Sequence, residues 1–293
     1  MQSFVLFWMV LIIITLDSCG QISEPRVPPI VQPEQRHDQE RINLSGNSIE
    51  TRFLLPEGFE RVALDANSFG SYLRRLPLKP HGTQVLYFDG RVKSNQDVYE
   101  AVVDLPIGKR DLHQCADAIM RLRATYLWEQ ERYSAIHFNF VSGFRADYSE
   151  WMQGNRIRMN GNRASWYKKT SPSNSADDLW AYLEMVFSYA GTASLCKELT
   201  PVAINNLEVG DVFIIGGSPG HAVIVLDMAE HRTTHERIFM LGQSYMPAQE
   251  TQVLSNRNNL ENSPWYAVKE IEGTLYTPEY TFSVTDLKRF QED

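Results

Sequence analysis

Three residues, Cys115, His221 and Gln243, stand in an order and in local settings that suit nucleophilic thiol chemistry. A thiol attacks a carbonyl carbon as its thiolate, so it needs a base within reach and surroundings that favour negative charge. Cys115 lies in the first turns of the strongest helical pattern in the chain, residues 111–131. There Leu112, Ala116, Ile119, Leu122 and Tyr126 recur at spacings of three and four behind Asp111, a suitable N-cap. Unpaired N–H groups and the helix dipole at such a start make a thiol easier to ionise. The competing reading of Cys115 is a small buried hydrophobe.

His221 follows a Gly/Ser/Pro cluster between two short apolar runs, 212–215 and 222–226, which read as a β-hairpin. Gly216, Gly217 and Gly220 permit positive φ and close backbone approach, and Pro219 stiffens the turn, so the imidazole is delivered to a fixed place at a strand start. A partly exposed histidine bonded to a neighbour is the plainer alternative. The next apolar strand, 238–241, ends at Gly242-Gln243, and the Gln243 amide can hold an imidazole in one tautomer; it can equally face water. Gln114, one position before the thiol, is a weaker candidate for placing an N–H near an oxyanion.

Other constellations carry less. Cys196 falls in a connecting segment with no helix start behind it, and Cys115 and Cys196 can either pair or stay free. His231 and His235 are four apart, but Arg232 stands where a zinc-peptidase helix needs glutamate, and the chain has no C-x-x-C. The glycines near His221 lack the Gly-Lys-Ser/Thr of a phosphate loop. We therefore expect no metal and no cofactor. Residues 142–170 form an insertion rich in Trp151, Trp166, Tyr148, asparagines and arginines. Flat rings and amides there suit a glycan or peptide surface, with Trp151 and Trp166 as stacking residues, and suit a cap packed on the core still better.

The elements that must position these residues predict an α+β fold with a helix packed on an antiparallel sheet. The chain has 293 residues, 43% of them hydrophobic, enough for one sizeable core. With 28 basic against 36 acidic residues and a formal charge of −8, it has no basic footprint for nucleic acid. Residues 4–16 are an apolar run shorter than the ~20 residues a spanning helix needs, which reads as a leader. Residues 20–52 read as a solvated tether, and 53–293 as one globular domain, divided into an N-terminal subregion 53–110 and a core 111–293. Within the subregion a strand over 84–88 turns at Asp89-Gly90 and is expected to pair with 98–103; a second helix starts at Asp177-Asp178, and a last short one at Thr285.

Two resemblances add to this. The sequence Leu16-Asp17-Ser18-Cys19-Gly20 resembles a bacterial lipobox, which implies residues 1–19 as a signal peptide, a lipidated Cys19 and a cell-envelope location, plain secretion being the alternative. The segments Gln114-Cys115-Ala116-Asp117-Ala118-Ile119 and Gln243-Ser244-Tyr245-Met246-Pro247-Ala248, with the hairpin carrying Gly220-His221, resemble an uncharacterised bacterial lipoprotein family. The hairpin and the residue order are distantly similar to papain-like NlpC and CHAP cell-wall hydrolases. That likeness implies a papain-like core, with Cys115 as nucleophile, His221 as base, Gln243 as orienter and a peptide or peptidoglycan fragment as substrate. The rival expectation is an envelope protein of the same fold that binds glycan, peptide or a protein partner without catalysis.

Overall fold

The structure is a computed structural model that describes residues 41–291. The leader, Cys19 and the tether up to residue 40 lie outside the described residues. Residues 41–52, read above as the end of the tether, belong to the folded body instead. Ile49–Arg52 is a helix (α1) capped by Ser48, Ile42 bridges to Phe53, and Ile49 and Phe53 are fully buried. Two apolar anchors spaced four apart suffice to dock this turn, and its polar neighbours hid them; the Arg52 guanidinium is held inside by the carbonyls of Gly46 and Lys79.

Five further helices follow: α2 (Phe69–Arg74), α3 (Cys115–Glu129), α4 (Tyr148–Met152), α5 (Ala176–Tyr189) and α6 (Thr192–Glu198). The strands are β1 (Phe59–Arg61), β2 (Tyr99–Val102), β3 (His137–Asn139), β4 (Arg145–Asp147), β5 (Asn155–Asn160), β6 (Arg163–Lys168), β7 (Thr200–Pro201) and β8 (Val212–Ile215), then β9 (His221–His231), β10 (Arg237–Gln243), β11 (Gln252–Leu254), β12 (Tyr266–Ala267), β13 (Thr274–Tyr276), β14 (Thr281–Ser283) and β15 (Leu287–Arg289). Nine of them form one antiparallel sheet, in the order β2-β11-β10-β9-β8-β15-β7, with β1 added to the end of β9 and β12 to that of β10. This is the expected α+β class with a helix on an antiparallel sheet.

Alternation along β9 explains how both faces of the sheet are filled. Ala222, Ile224 and Leu226 join the core built with α3 and α5, whereas Val223 and Val225 join Phe213, Phe239 and Leu241 in a second core under the β13–β14 hairpin, with Leu275 and Phe282. The β9–β10 register slips between Met240 and Leu241, a bulge after which Leu226 and Asp227 both serve the helical side. Among the described residues, no helix is long and apolar enough to cross a membrane.

Several local expectations change. The strand at 98–103 does pair, but β2 lies against β11 through Ala101↔Val253, while Leu86 and Tyr87 make isolated bridges to Val92 and Gln249. The end of the chain is a single 3-10 turn, Val284–Asp286, and then β15, which inserts between β8 and β7; it is not a helix. Cys196 sits on α6, a helix that local polarity concealed. In the insertion, Trp151 is 5% exposed, edge-on to Tyr182 at 5.8 Å and covered by the Arg156 guanidinium at 4.2 Å. It is a packed core residue, so the stacking role expected for it is withdrawn. Trp166, half-buried on the β5–β6 hairpin, packs 5.7 Å from Phe144, as a cap residue would.

Candidate functional site

The long helix begins later than its sequence pattern suggests, with Gln114 as N-cap and Cys115 as its first residue. Asp111 is occupied elsewhere, accepting from the Ala248 N–H at 2.7 Å and from the Gln114 amide at 3.1 Å. The shift places the thiol among first-turn N–H groups, which have no partner inside the helix. Those of Ala116 and of Cys115 itself favour its thiolate, as does the N–H of Ala222, the residue directly after His221. So α3 starts against the strand that carries the histidine, and the sulfur stands at the first peptide of β9.

The expectation that the helix start lowers the thiol pKa is nevertheless overturned. Burial pushes the Cys115 thiol up to about 11, the nearby Asp117 carboxylate adds to the rise, and the three N–H groups do not compensate. Asp117 is itself buried, with its pKa raised by desolvation to about 8; one carboxyl oxygen accepts from the Gln114 N–H at 3.0 Å and the other has no partner. Alkylation of Cys115, followed by peptide mass mapping of the full chain, is expected to rise roughly tenfold per pH unit toward pH 11, the thiolate being the reactive form. A rate that levels off below pH 8 would show a thiolate–imidazolium pair instead.

His221 is 2% exposed and opens β9 opposite Ile215. The turn before it is tightest at its last residue: a Cβ on Gly220 would lie 2.5 Å from both the Gly217 carbonyl and the Thr192 hydroxyl oxygen. Of the three turn glycines, Gly217 alone has positive φ, at 122°, so close approach is what the other two supply. The ring is packed by Tyr245, Tyr280 and Phe282, at centroid distances of 4.6, 5.0 and 6.0 Å. Burial lowers the imidazole pKa to about 4; the Gln243 hydrogen bond opposes the fall and the Lys93 charge adds to it. The imidazole is neutral at physiological pH.

Gln243 stands where the sequence placed it, at the end of β10 and 1% exposed. Its Oε1 lies 2.8 Å from Nε2 of His221, and its Nε2 donates to Oε2 of Glu279 at 2.6 Å. Lys93, with 2% of its side chain exposed, donates to the same carboxylate oxygen at 2.6 Å. The structure therefore brings Cys115, His221 and Gln243 to one end of the sheet. The imidazole belongs to the face away from α3, packed with Tyr280 and Phe282, and the sulfur lies by the Ala222 N–H and close enough to Tyr245 for its charge to act there. That phenol feels burial first, then the charges of Glu279 and Cys115, all of which raise its pKa.

Gln114 is only partly suited to its suggested role, because its main-chain N–H is already given to Asp117. The N–H of Cys115, first in the helix, is the better donor for an oxyanion. Glu279, Lys93 and Tyr280 went unnoticed in the sequence, and Tyr245 was quoted there without a role in the site. Glu279 and Tyr280 come from the β13–β14 turn and Lys93 from an irregular segment, and no periodicity links either to His221. The Tyr245 position, two after Gln243, was the one available signal.

A cavity of about 460 Å³ lies away from this site, lined by Phe69, Val209, Asp211, Arg237, Arg289 and Phe290 among others. Its buried Asp211 is already paired with Arg289, at 2.6 Å. The convergence of a thiol, an imidazole and an amide is the stronger marker of function than cavity size.

No curated protein and no solved structure matches the chain, so neither comparison adds support to the NlpC and CHAP likeness. A family model does match, over residues 49–289, which takes in α1, the whole nine-stranded sheet and the three residues of the site. The chain thus belongs to the family described as domain of unknown function 4846.

Proposed function

We propose that the protein is a cysteine hydrolase with a papain-like arrangement, cleaving an amide bond in a peptide, with peptidoglycan stem peptides as the substrate class. The observation that carries this reading is the buried imidazole bonded by the Gln243 amide at the strand end where the first residue of α3 presents its thiol. Cys115 Sγ attacks the carbonyl carbon while His221, through its remaining acceptor Nδ1, takes the thiol proton. The N–H of Cys115 is directed at the oxyanion. The protonated imidazole then gives its proton to the departing amine as the C–N bond breaks, and water resolves the thioester with His221 again as base.

A thiol near 11 beside an imidazole near 4 rests as a neutral pair. Proton transfer is then coupled to attack and does not precede it. The leader-like run 4–16 and the lipobox-like Cys19 support a cell-envelope setting with a lipid anchor, secretion being the alternative.

A second reading, an envelope protein that binds peptide or glycan on the same fold without cutting it, is favoured by the raised thiol pKa. Incubation of the full chain with purified cell-wall fragments separates the two. New amino termini in the wild-type digest, absent with Cys115→Ser, are expected. Retention of fragments with no new termini would leave the binding reading.

A further inference from the structure

A glutamine amide is nearly symmetric in shape, so what faces its far end decides which end meets the imidazole. Here the far end meets Glu279, and an ionised carboxylate can only accept. The amide nitrogen of Gln243 must therefore point at Glu279, at 2.6 Å, and its oxygen at His221, at 2.8 Å. An oxygen facing Nε2 requires the proton to be on Nε2, which leaves Nδ1 as the ring acceptor. Glu279, with only 15% of its side chain meeting water, is held there in an ion pair. Lys93 is its partner, donating to the same oxygen at 2.6 Å from a side chain that is itself 2% exposed. Its ammonium also lies 5.8 Å from the Tyr245 ring, which packs on His221.

We propose that Lys93 and Glu279 are positioning residues that lock His221 in its Nε2–H tautomer through Gln243. The inference rests on the functional reading above for its purpose, since Nδ1 is the atom that must receive the Cys115 proton. Its geometry is independent of that reading. Glu279→Gln keeps size and hydrogen bonding but replaces an obligate acceptor with a group that turns either way, so Gln243 gains the freedom to turn with it. The ion pair has a plainer possible role, clamping the β13–β14 turn and Tyr280 onto the site, and that role would leave the ring proton where it is.

The tautomer is read directly by long-range nitrogen–proton correlation on the full chain labelled with 15N-histidine, His221 being assigned by its loss in His221→Gln. At pH 7 the wild type is expected to show a protonated Nε2 and an unprotonated Nδ1. In Glu279→Gln the Nε2–H to Nδ1–H ratio is expected to fall roughly tenfold, the size of one lost charge-assisted preference, about 1.4 kcal/mol. Lys93→Arg is expected to keep the wild-type tautomer.

A wild-type Nδ1–H signal would overturn the lock without any variant, so the test survives even if Glu279→Gln does not fold. A Glu279→Gln spectrum with the wild-type ratio would overturn it as well. A locked tautomer in a protein that releases no new amino termini would sink the hydrolase and leave the lock in place.

Discussion

His221→Ala is expected to lower release of new amino termini roughly 10²–10⁴-fold, the usual contribution of a positioned general base. The size of the effect follows from the resting state of the site. Burial and Asp117 hold the thiol near 11, so at neutral pH almost none of it is thiolate unless a base removes the proton during attack. Without the imidazole, only that small thiolate fraction remains. The residual rate of His221→Ala should therefore climb with pH toward 11, whereas the wild-type rate should be flat above the imidazole pKa near 4.

Gln243→Ala should cost less, roughly 10–100-fold. It leaves the buried Nε2–H of His221 without its acceptor, a loss of about 1–3 kcal/mol, but does not remove the base. Initial rates of amine release across pH, with circular dichroism to confirm folding, measure all of this. A His221→Ala protein as fast as wild type would remove the imidazole from the mechanism, and equal losses in the two variants would make Gln243 more than an orienter.

Much of this site was legible because its parts lie where local patterns are strong. A glycine turn between apolar runs marked His221, a helical repeat marked Cys115 to within one turn, and a strand end marked Gln243. The ionisation state was not legible. A helix start argues for a thiolate, and the competing terms, loss of water around the sulfur and the carboxylate of Asp117, exist only after folding. The Lys93–Glu279 support was hidden for a related reason: it joins an irregular segment to a hairpin turn, and such contacts leave no period in the sequence. The same holds at the edge of the fold, where Ile49 and Phe53 anchor residues whose composition otherwise reads as tether.

Asp227 governs the opposite half of β9 from His221, and its replacement should have the largest effect on stability. The side chain has no exposure and accepts from the Nε groups of Arg61 and Arg74, each at 2.6 Å, as well as from the Met228 N–H at 2.9 Å. The two guanidiniums are anchored in turn to main-chain carbonyls, Arg61 to Phe53 at 2.6 Å and Arg74 to Val62 at 3.0 Å. One carboxylate thus ties β9 to β1, α2 and the segment that follows α1. Asp227→Ala leaves two largely buried cations without their anion, a situation that costs about 3–5 kcal/mol when a buried pair is broken from one side. The exposed pair Arg232–Glu60, with side chains 63% and 64% exposed, is the internal contrast: Glu60→Ala should change stability by less than about 1 kcal/mol. Midpoints of urea unfolding for the three proteins make the comparison, and an Asp227→Ala loss no larger than that of Glu60→Ala would refute the tie. Because the bulge at Met240/Leu241 lies between Asp227 and the histidine end, the fraction of Asp227→Ala that remains folded should keep the wild-type His221 tautomer, so that stability and site geometry separate along a single strand.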